Sequence, residues 1–219
     1  MTLFRLDASI RTEGSVSRAV ADTVQATWRA EHPDARVIRR DLAFDPLPAS
    51  TWTTAVSAKA TPVEDRTPAQ HGAVAMASSL ADELLAADAF LFAIPLYNYA
   101  IPHYVKSWID TLFTTSAFAP GSTPAIAGRP AVLVSVRGGG YGPGTPREGW
   151  DHNTPYLRRV FADMWGLDLE VVEAELTLAE VNPAMAELRP LAAESLKAAH
   201  TSAEQTGRTL ATRLLSAAR

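Results

Sequence analysis

Short apolar runs of strand length alternate along this chain with segments whose apolar residues recur at helical spacing. That alternation constrains the fold more than any other feature. Strands that take turns with helices build a parallel sheet, because a parallel neighbour is reached only through a long crossover. The run Asp88–Ile94 is apolar at every position after its first, so it must be covered on both faces and sit centrally. Leu3–Leu6, Arg36–Asp41 and Ala131–Val136 supply further strands, and Leu169–Val172 alternates like an edge strand. Val16, Val20, Val24 and Trp28 line one helix face, and Pro33 ends that helix. Ala73, Ala77, Leu80 and Leu84 mark a second helix, and Val105, Trp108, Ile109 and Leu112 a third that begins near Pro102. A fourth runs from Thr154–Pro155 to a stop at Gly166, with Leu157, Phe161 and Met164 inward, and an Ala-rich helical region closes the chain. The expected class is therefore α/β, with five strands and a helix for each crossover.

The 219 residues fit one domain, 1–219, and with 47% apolar residues a full core can be buried. A net charge of −4 with no cluster of Lys and Arg argues against nucleic acid, which needs a concentrated basic face. The absence of cysteine removes disulfides, thiolate nucleophiles and sulfur-ligated metals. The histidines have no metal-ligand spacing either, so no metal is expected. The N-terminus reads as a strand rather than a signal peptide, and nothing approaches the ~20 apolar residues of a membrane span. A soluble cytoplasmic protein without a membrane partner is the resulting expectation. Two excursions, Asp45–Pro68 (with a short helix near Trp52–Lys59) and Thr114–Arg129, are long enough to serve as lids or binding loops.

In an open parallel sheet a ligand lies beyond the carboxyl ends of the strands, where strand order reverses. Three unusual loops leave such ends here. The first carries Ser9, Ser15, Val16 and Ser17 at the start of a helix. Unpaired amides, the positive end of the helix dipole and added hydroxyls suit a phosphate monoester, although Ser15 could equally be a plain helix cap. Neither a Gly-x-Gly-x-x-Gly fingerprint nor a Gly-Lys-Ser phosphate loop is present, which argues against a dinucleotide in this loop and against triphosphate hydrolysis. The second loop, Pro95-Leu96-Tyr97-Asn98-Tyr99, offers a rigid, partly apolar wall for a flat heteroaromatic ring, unless its tyrosines only pack on the sheet. In the third, Val136-Arg137-Gly138-Gly139, bare backbone can approach a ligand and donate to carbonyl oxygens. Alone, a glycine turn says little.

Together these loops resemble those of the FMN-dependent NAD(P)H:quinone oxidoreductase and azoreductase family of flavodoxin-like proteins. The likeness rests on Ser9 with Ser15-Val16-Ser17, on Leu96-Tyr97-Asn98-Tyr99 followed by Ile101-Pro102, and on Arg137-Gly138-Gly139. Lys106, Asp110 and Thr154-Pro155-Tyr156-Leu157 add to it. Val136 departs from the pattern, standing where the family often has serine, and the Thr114–Arg129 excursion is shorter than usual. The resemblance implies a three-layer flavodoxin-like fold with strand order 2-1-3-4-5. It implies FMN at the interface of a homodimer, held by Ser9, Ser15, Val16, Ser17, Pro95, Leu96, Tyr97, Asn98, Tyr99, Val136, Arg137, Gly138 and Gly139.

The implied activity is hydride transfer from NADH or NADPH through FMN to a quinone or azo compound, by a ping-pong scheme in which donor and acceptor share one face of the ring. The flavin carries the chemistry, so no side-chain nucleophile is needed. Asn98, Tyr99 and His103 are the candidate catalytic groups, the last two as proton donors, and Trp52, Phe118 and Tyr141 are candidate walls of the substrate pocket. Trp165 reads as core. Two alternatives stay open: a relative recruited to one aromatic or quinonoid biosynthetic intermediate, and a flavodoxin-type electron carrier.

Overall fold

A computed structural model describes residues 1–217 and places five parallel strands in the order β2-β1-β3-β4-β5. The strands are β1 (Thr2–Asp7), β2 (Arg36–Asp41), β3 (Ala89–Pro95), β4 (Pro130–Val136) and β5 (Asp168–Ala174). The helices are α1 (Val16–Glu31), α2 (Thr51–Lys59), α3 (Pro68–Leu85), α4 (His103–Leu112), α5 (Thr154–Arg158) and α6 (Arg189–Ala217). This is the expected flavodoxin-like arrangement. The proposed domain span, 1–219, runs two positions past the described residues.

β3 is buried at every position, as a strand with neighbours on both edges and helices on both faces must be. Because strand side chains alternate between faces, the sheet presents two apolar surfaces. Phe4, Leu6, Phe90, Phe92 and Leu133 meet Leu80 and Leu84 of α3, Trp108 and Leu112 of α4, and Phe161. Leu3, Leu91, Val132 and Val134 meet Val20, Val24 and Trp28 of α1, with Ala199, Ala203 and Leu210 of α6. α1 and α6 pack closely because residue 207 is glycine. A Cβ there would lie 2.8 Å from both Thr27 Cβ and the Val24 carbonyl oxygen.

One helix differs from expectation. The segment after Thr154 is α-helical for five residues and then widens into a π-turn over Arg159–Met164, where Trp165 N donates to Val160 O at 2.9 Å. The wider turn lets two aromatics reach the same core. Phe161 stacks on Phe92 at 4.2 Å, while Trp165 meets Trp108 edge-on at 5.7 Å. Gly166, at φ +70°, ends the segment where a side chain would be strained. Met164 is only half-buried, whereas Leu157 and Phe161 point inward as the spacing predicts.

The register brings the site together. Asp7 of β1 lies beside Asp41 of β2 and Ala93 of β3, and Pro95 of β3 beside Val136 of β4. The carboxyl ends of β1, β3 and β4 therefore share one rim, and strand order reverses between β1 and β3.

Candidate active site

At that rim lies a cavity of about 410 Å³, within the range of ligand pockets. Most residues read from the three loops line it: Ser9, Ser15, Val16, Ser17, Pro95, Leu96, Tyr97, Asn98, Tyr99, Val136, Gly138 and Gly139. At one end Ser9, Ser15 and Ser17 are buried, with the hydroxyls of Ser15 and Ser17 3.4 Å apart. Ser15 also caps α1, accepting from Arg18 N at 3.4 Å, so its role as a cap and its place in the cavity coexist. The backbone N–H groups of Gly14, Val16 and Ser17 donate to no group among the described residues. An anion fits such a cradle.

The wall after β3 is a tight reversal. Tyr97 and Ala100 exchange both backbone hydrogen bonds at 3.0 Å, with Asn98 at φ +49° and Tyr99 at φ +70° between them. Two consecutive positive φ values mark a type I′ turn, and a tyrosine in that region is strained at a cost of about 1 kcal/mol or more. His152 N, donating to Tyr99 O at 3.0 Å, helps hold it. Tyr97 ties this wall to the first loop, accepting at its hydroxyl from Ile10 N at 3.1 Å. Leu96 N donates to Val136 O at 2.8 Å and ties it to the third loop. There the carbonyls of Gly138 and Gly139 accept from Leu178 N and Leu176 N, while their N–H groups have no partner among the described residues. One end of the cavity thus offers anion donors, and the other a flat wall with free amides.

Several sequence readings are corrected. The Arg137 side chain does not line the cavity. It is buried against β5 and the loop before α5, with Nη1 2.8 Å from Asp151 and Nη2 2.6 Å from Glu173. Its Nε lies 3.3 Å from Glu175, an attraction of charges outside hydrogen-bond geometry. Asp151 in turn accepts from the Thr154 amide and hydroxyl, so this cluster and the Thr154-Pro155 motif build the start of α5. Phe118 is 3% exposed and packs 5.1 Å from Trp165, so it belongs to the core cluster on that face of the sheet. Trp52 stands 43% exposed on α2, away from the cavity lining. His103 is exposed at the first residue of α4, its ring 4.9 Å from Tyr104, and is not in the lining. Lys106 and Asp110 pair with each other along α4. Tyr141 does line the cavity. Burial raises its phenol pKa, against the opposing charge of Arg147.

Six residues of the lining were not among the expected site residues, Ile10 and Gly14 of the first loop being two of them. Arg11 and Arg147 line opposite ends of the cavity, and Thr177 and Leu178, after β5, close it. Arg11 and Arg147 are the charged residues of the lining, and neither has an ion-pair partner among the described residues. In a chain of net charge −4, that makes the cavity locally positive. Behind the loop lies Arg18. It donates to Ser9 O at 2.7 Å and Arg11 O at 3.0 Å, and its guanidinium forks onto Asp41 at 2.6 and 3.0 Å. Asp7, fully buried, is shared between Arg5 at 3.0 Å and Arg39 at 2.7 Å. Two strands that end side by side in aspartate need cations, and that pairing was the sequence signal for this network.

Tyr104 braces the same loop from the other side, donating to Ala8 O at 2.7 Å, and burial pushes its phenol up to about 12. An unfolded tyrosine titrates near ~10. The folded state therefore favours the protonated form. That contribution is complete below pH ~10 and is lost as pH rises toward the folded value. Denaturant unfolding at stepped pH should show wild type losing stability across this window, with a flatter decline for Tyr104→Phe. Tyr156, also pushed up to about 12 by burial, remains in both proteins, so the flattening is partial. Parallel declines would remove Tyr104 from the account.

With fold and cavity in place, comparison with known proteins is decisive about kinship. The family model described as flavodoxin-like fold matches residues 1–205. The chain belongs to the flavodoxin-like family. Among its relatives is an FMN-dependent NADH:quinone oxidoreductase of Parafrankia sp. (strain EAN1pec). The two are 39% identical over 208 residues, 94% of this chain and 96% of the relative. A protein of the same name from Streptomyces avermitilis is 41% identical over 213 residues, 97% and 98% of the two chains. In three dimensions the flavodoxin-like chain resembles the FMN-dependent NADH-azoreductase of Bacillus anthracis str. Ames Ancestor, solved in complex with FMN. That match has a TM-score of 0.76 at 19% identity and covers 96% and 98% of the chains, a likeness of fold. No helix among the described residues is long and apolar enough to cross a membrane.

Proposed function

We propose that the cavity holds FMN and that the chain is an FMN-dependent NADH:quinone oxidoreductase or azoreductase. The observation that carries this reading is the cavity's division of labour: unpaired amides and buried hydroxyls at the start of α1, and a tyrosine wall facing free glycine amides at the far end. The relatives named above, similar along nearly their whole length, support the same cofactor and donor.

Ser9, Ser15 and Ser17 would take the phosphate, with Arg11 adding charge. Pro95–Tyr99 would flank the ring, and the amides of Gly138 and Gly139 would meet its carbonyl edge. When bound, FMN supplies two-electron chemistry, accepting hydride from reduced nicotinamide and passing it to a quinone or azo acceptor. The protein's part is orientation and preorganised charge. Amide donors fixed by β4 need no rearrangement as charge develops. The Tyr97–Ala100 turn keeps the wall rigid. Tyr141, a phenol protonated at neutral pH, lines the cavity and can donate a hydrogen bond at the ring end, whereas His103 is not in the lining. A homodimer completes this reading, since Tyr99 and Trp150 leave large aromatic surface at the cavity mouth for a second copy to cover. The cytoplasm, where reduced nicotinamide is made, is the compartment it requires.

The test is direct. Purified protein should be yellow or take up one FMN per chain, and a colourless protein indifferent to FMN would sink the proposal. With NADH and a quinone, double-reciprocal lines at several quinone concentrations should be parallel, as donor and acceptor using one site in turn demands. Intersecting lines would leave the cofactor in place and remove the shared site.

A further inference from the structure

The segment between the glycine turn and α5 also delivers a cation into the cavity. Arg147 leaves a compact loop in which Thr145 Oγ1 donates to Gly142 O at 2.8 Å, Gly144 N to Glu148 Oε2 at 2.8 Å, and Trp150 N to Arg147 O at 3.1 Å. From there its guanidinium reaches back. The guanidinium carbon lies 5.9 Å from the centre of the Tyr141 ring, and Nη1 is 2.4 Å from where a Cβ on Gly139 would be. The bare backbone at Gly139 thus has the charge directly against it, at the end of β4. Carboxylates neutralise Arg5, Arg18, Arg39 and Arg137, but none pairs with Arg147 among the described residues. Its charge is left for whatever occupies the ring end.

The geometry points to Arg147 as the residue that sets the reduction potential of the bound flavin. The inference rests on the proposal that FMN lies with its ring against Gly138 and Gly139. Uptake of two electrons and one proton leaves that ring with one more negative charge than before. A cation beside its carbonyl edge favours the reduced form over the oxidised one. Arg11, at the opposite end, serves the phosphate and is equally attractive in both redox states. Because Arg147 is exposed and screened, its preference amounts to about tenfold rather than more.

The experiment is a reductive titration of the FMN-loaded protein with dithionite against a reference dye, alongside binding of oxidised FMN to the apoprotein. Arg147→Met should lower the midpoint potential by about 30 mV, the two-electron equivalent of a tenfold change. Affinity for oxidised FMN should stay within about twofold of wild type by the same exposed-charge reasoning. Arg147→Lys should retain most of the wild-type potential. Equal potentials in wild type and Arg147→Met would overturn the inference, as would a loss of oxidised-FMN affinity that leaves the potential unchanged. Failure of wild type to bind FMN would instead remove the cofactor reading beneath it, a result separable from both.

Discussion

Ser17→Asp is expected to lose FMN about a thousandfold while binding riboflavin as wild type does. Ser17 is buried in the first turn of α1, facing the cavity between Ser15 and the free amides. A carboxylate there would meet the phosphate at close range. Unit charges ~4 Å apart at an effective dielectric of ~20 interact by about 4 kcal/mol, which corresponds to about three decades of affinity. Riboflavin has no phosphate and escapes the repulsion. The fold should tolerate the change, since an acidic residue in the first turn suits the helix dipole and no acidic residue is there now. Ser17→Ala is the milder control, losing one hydroxyl contact for about 1 kcal/mol. Isothermal titration of both ligands decides the matter. If Ser17→Asp binds FMN as wild type does, the phosphate lies elsewhere.

Much of this architecture was legible in the sequence because burial writes its own period. β3 could only be central, since all its positions are apolar, and the alternation in β5 marked it as an edge. The three loops were legible for a related reason: topology places the carboxyl ends of parallel strands on one rim, so unusual residues after such strands converge. What escaped depended on where side chains turn. Arg137 sits in a loop motif, but its guanidinium is drawn to three carboxylates, on and just after β5 and before α5, leaving its neighbours Val136, Gly138 and Gly139 in the cavity. Phe118 occupies an excursion that looked like a substrate wall, yet a large apolar ring beside Trp165 gains more from the core. Arg147 lay in a Pro-rich stretch with no periodicity, where reach cannot be read from spacing. Arg18 lies off the apolar positions that define its helix, so the helical period says nothing of it. Only the register of Asp7 beside Asp41 gives it a structural task.

That task can be tested by taking the guanidinium away. Arg18→Met is expected to destabilise the protein by about 2–3 kcal/mol and to weaken FMN binding more than riboflavin binding. The stability loss follows from leaving Asp41 without its forked partner. Breaking a fully buried pair costs about 3–5 kcal/mol, and Asp41, a quarter exposed, recovers part of that from water. The binding loss has a different origin. Arg18 holds the carbonyls of Ser9 and Arg11, and without those bonds the loop is free to leave the shape that presents its amides to one point. The two effects separate in a double variant. Arg18→Met with Asp41→Asn removes the stranded charge, so stability should return by about 1–2 kcal/mol, while FMN affinity should not. Arg18→Lys should rescue neither fully, because a point charge cannot fork onto Asp41 and also reach both carbonyls. Urea unfolding measures the first effect, and the ratio of FMN to riboflavin dissociation constants the second. Recovery of both in the double variant would mean that Arg18 acts only by neutralising Asp41. Recovery of stability alone assigns it the shape of the phosphate loop.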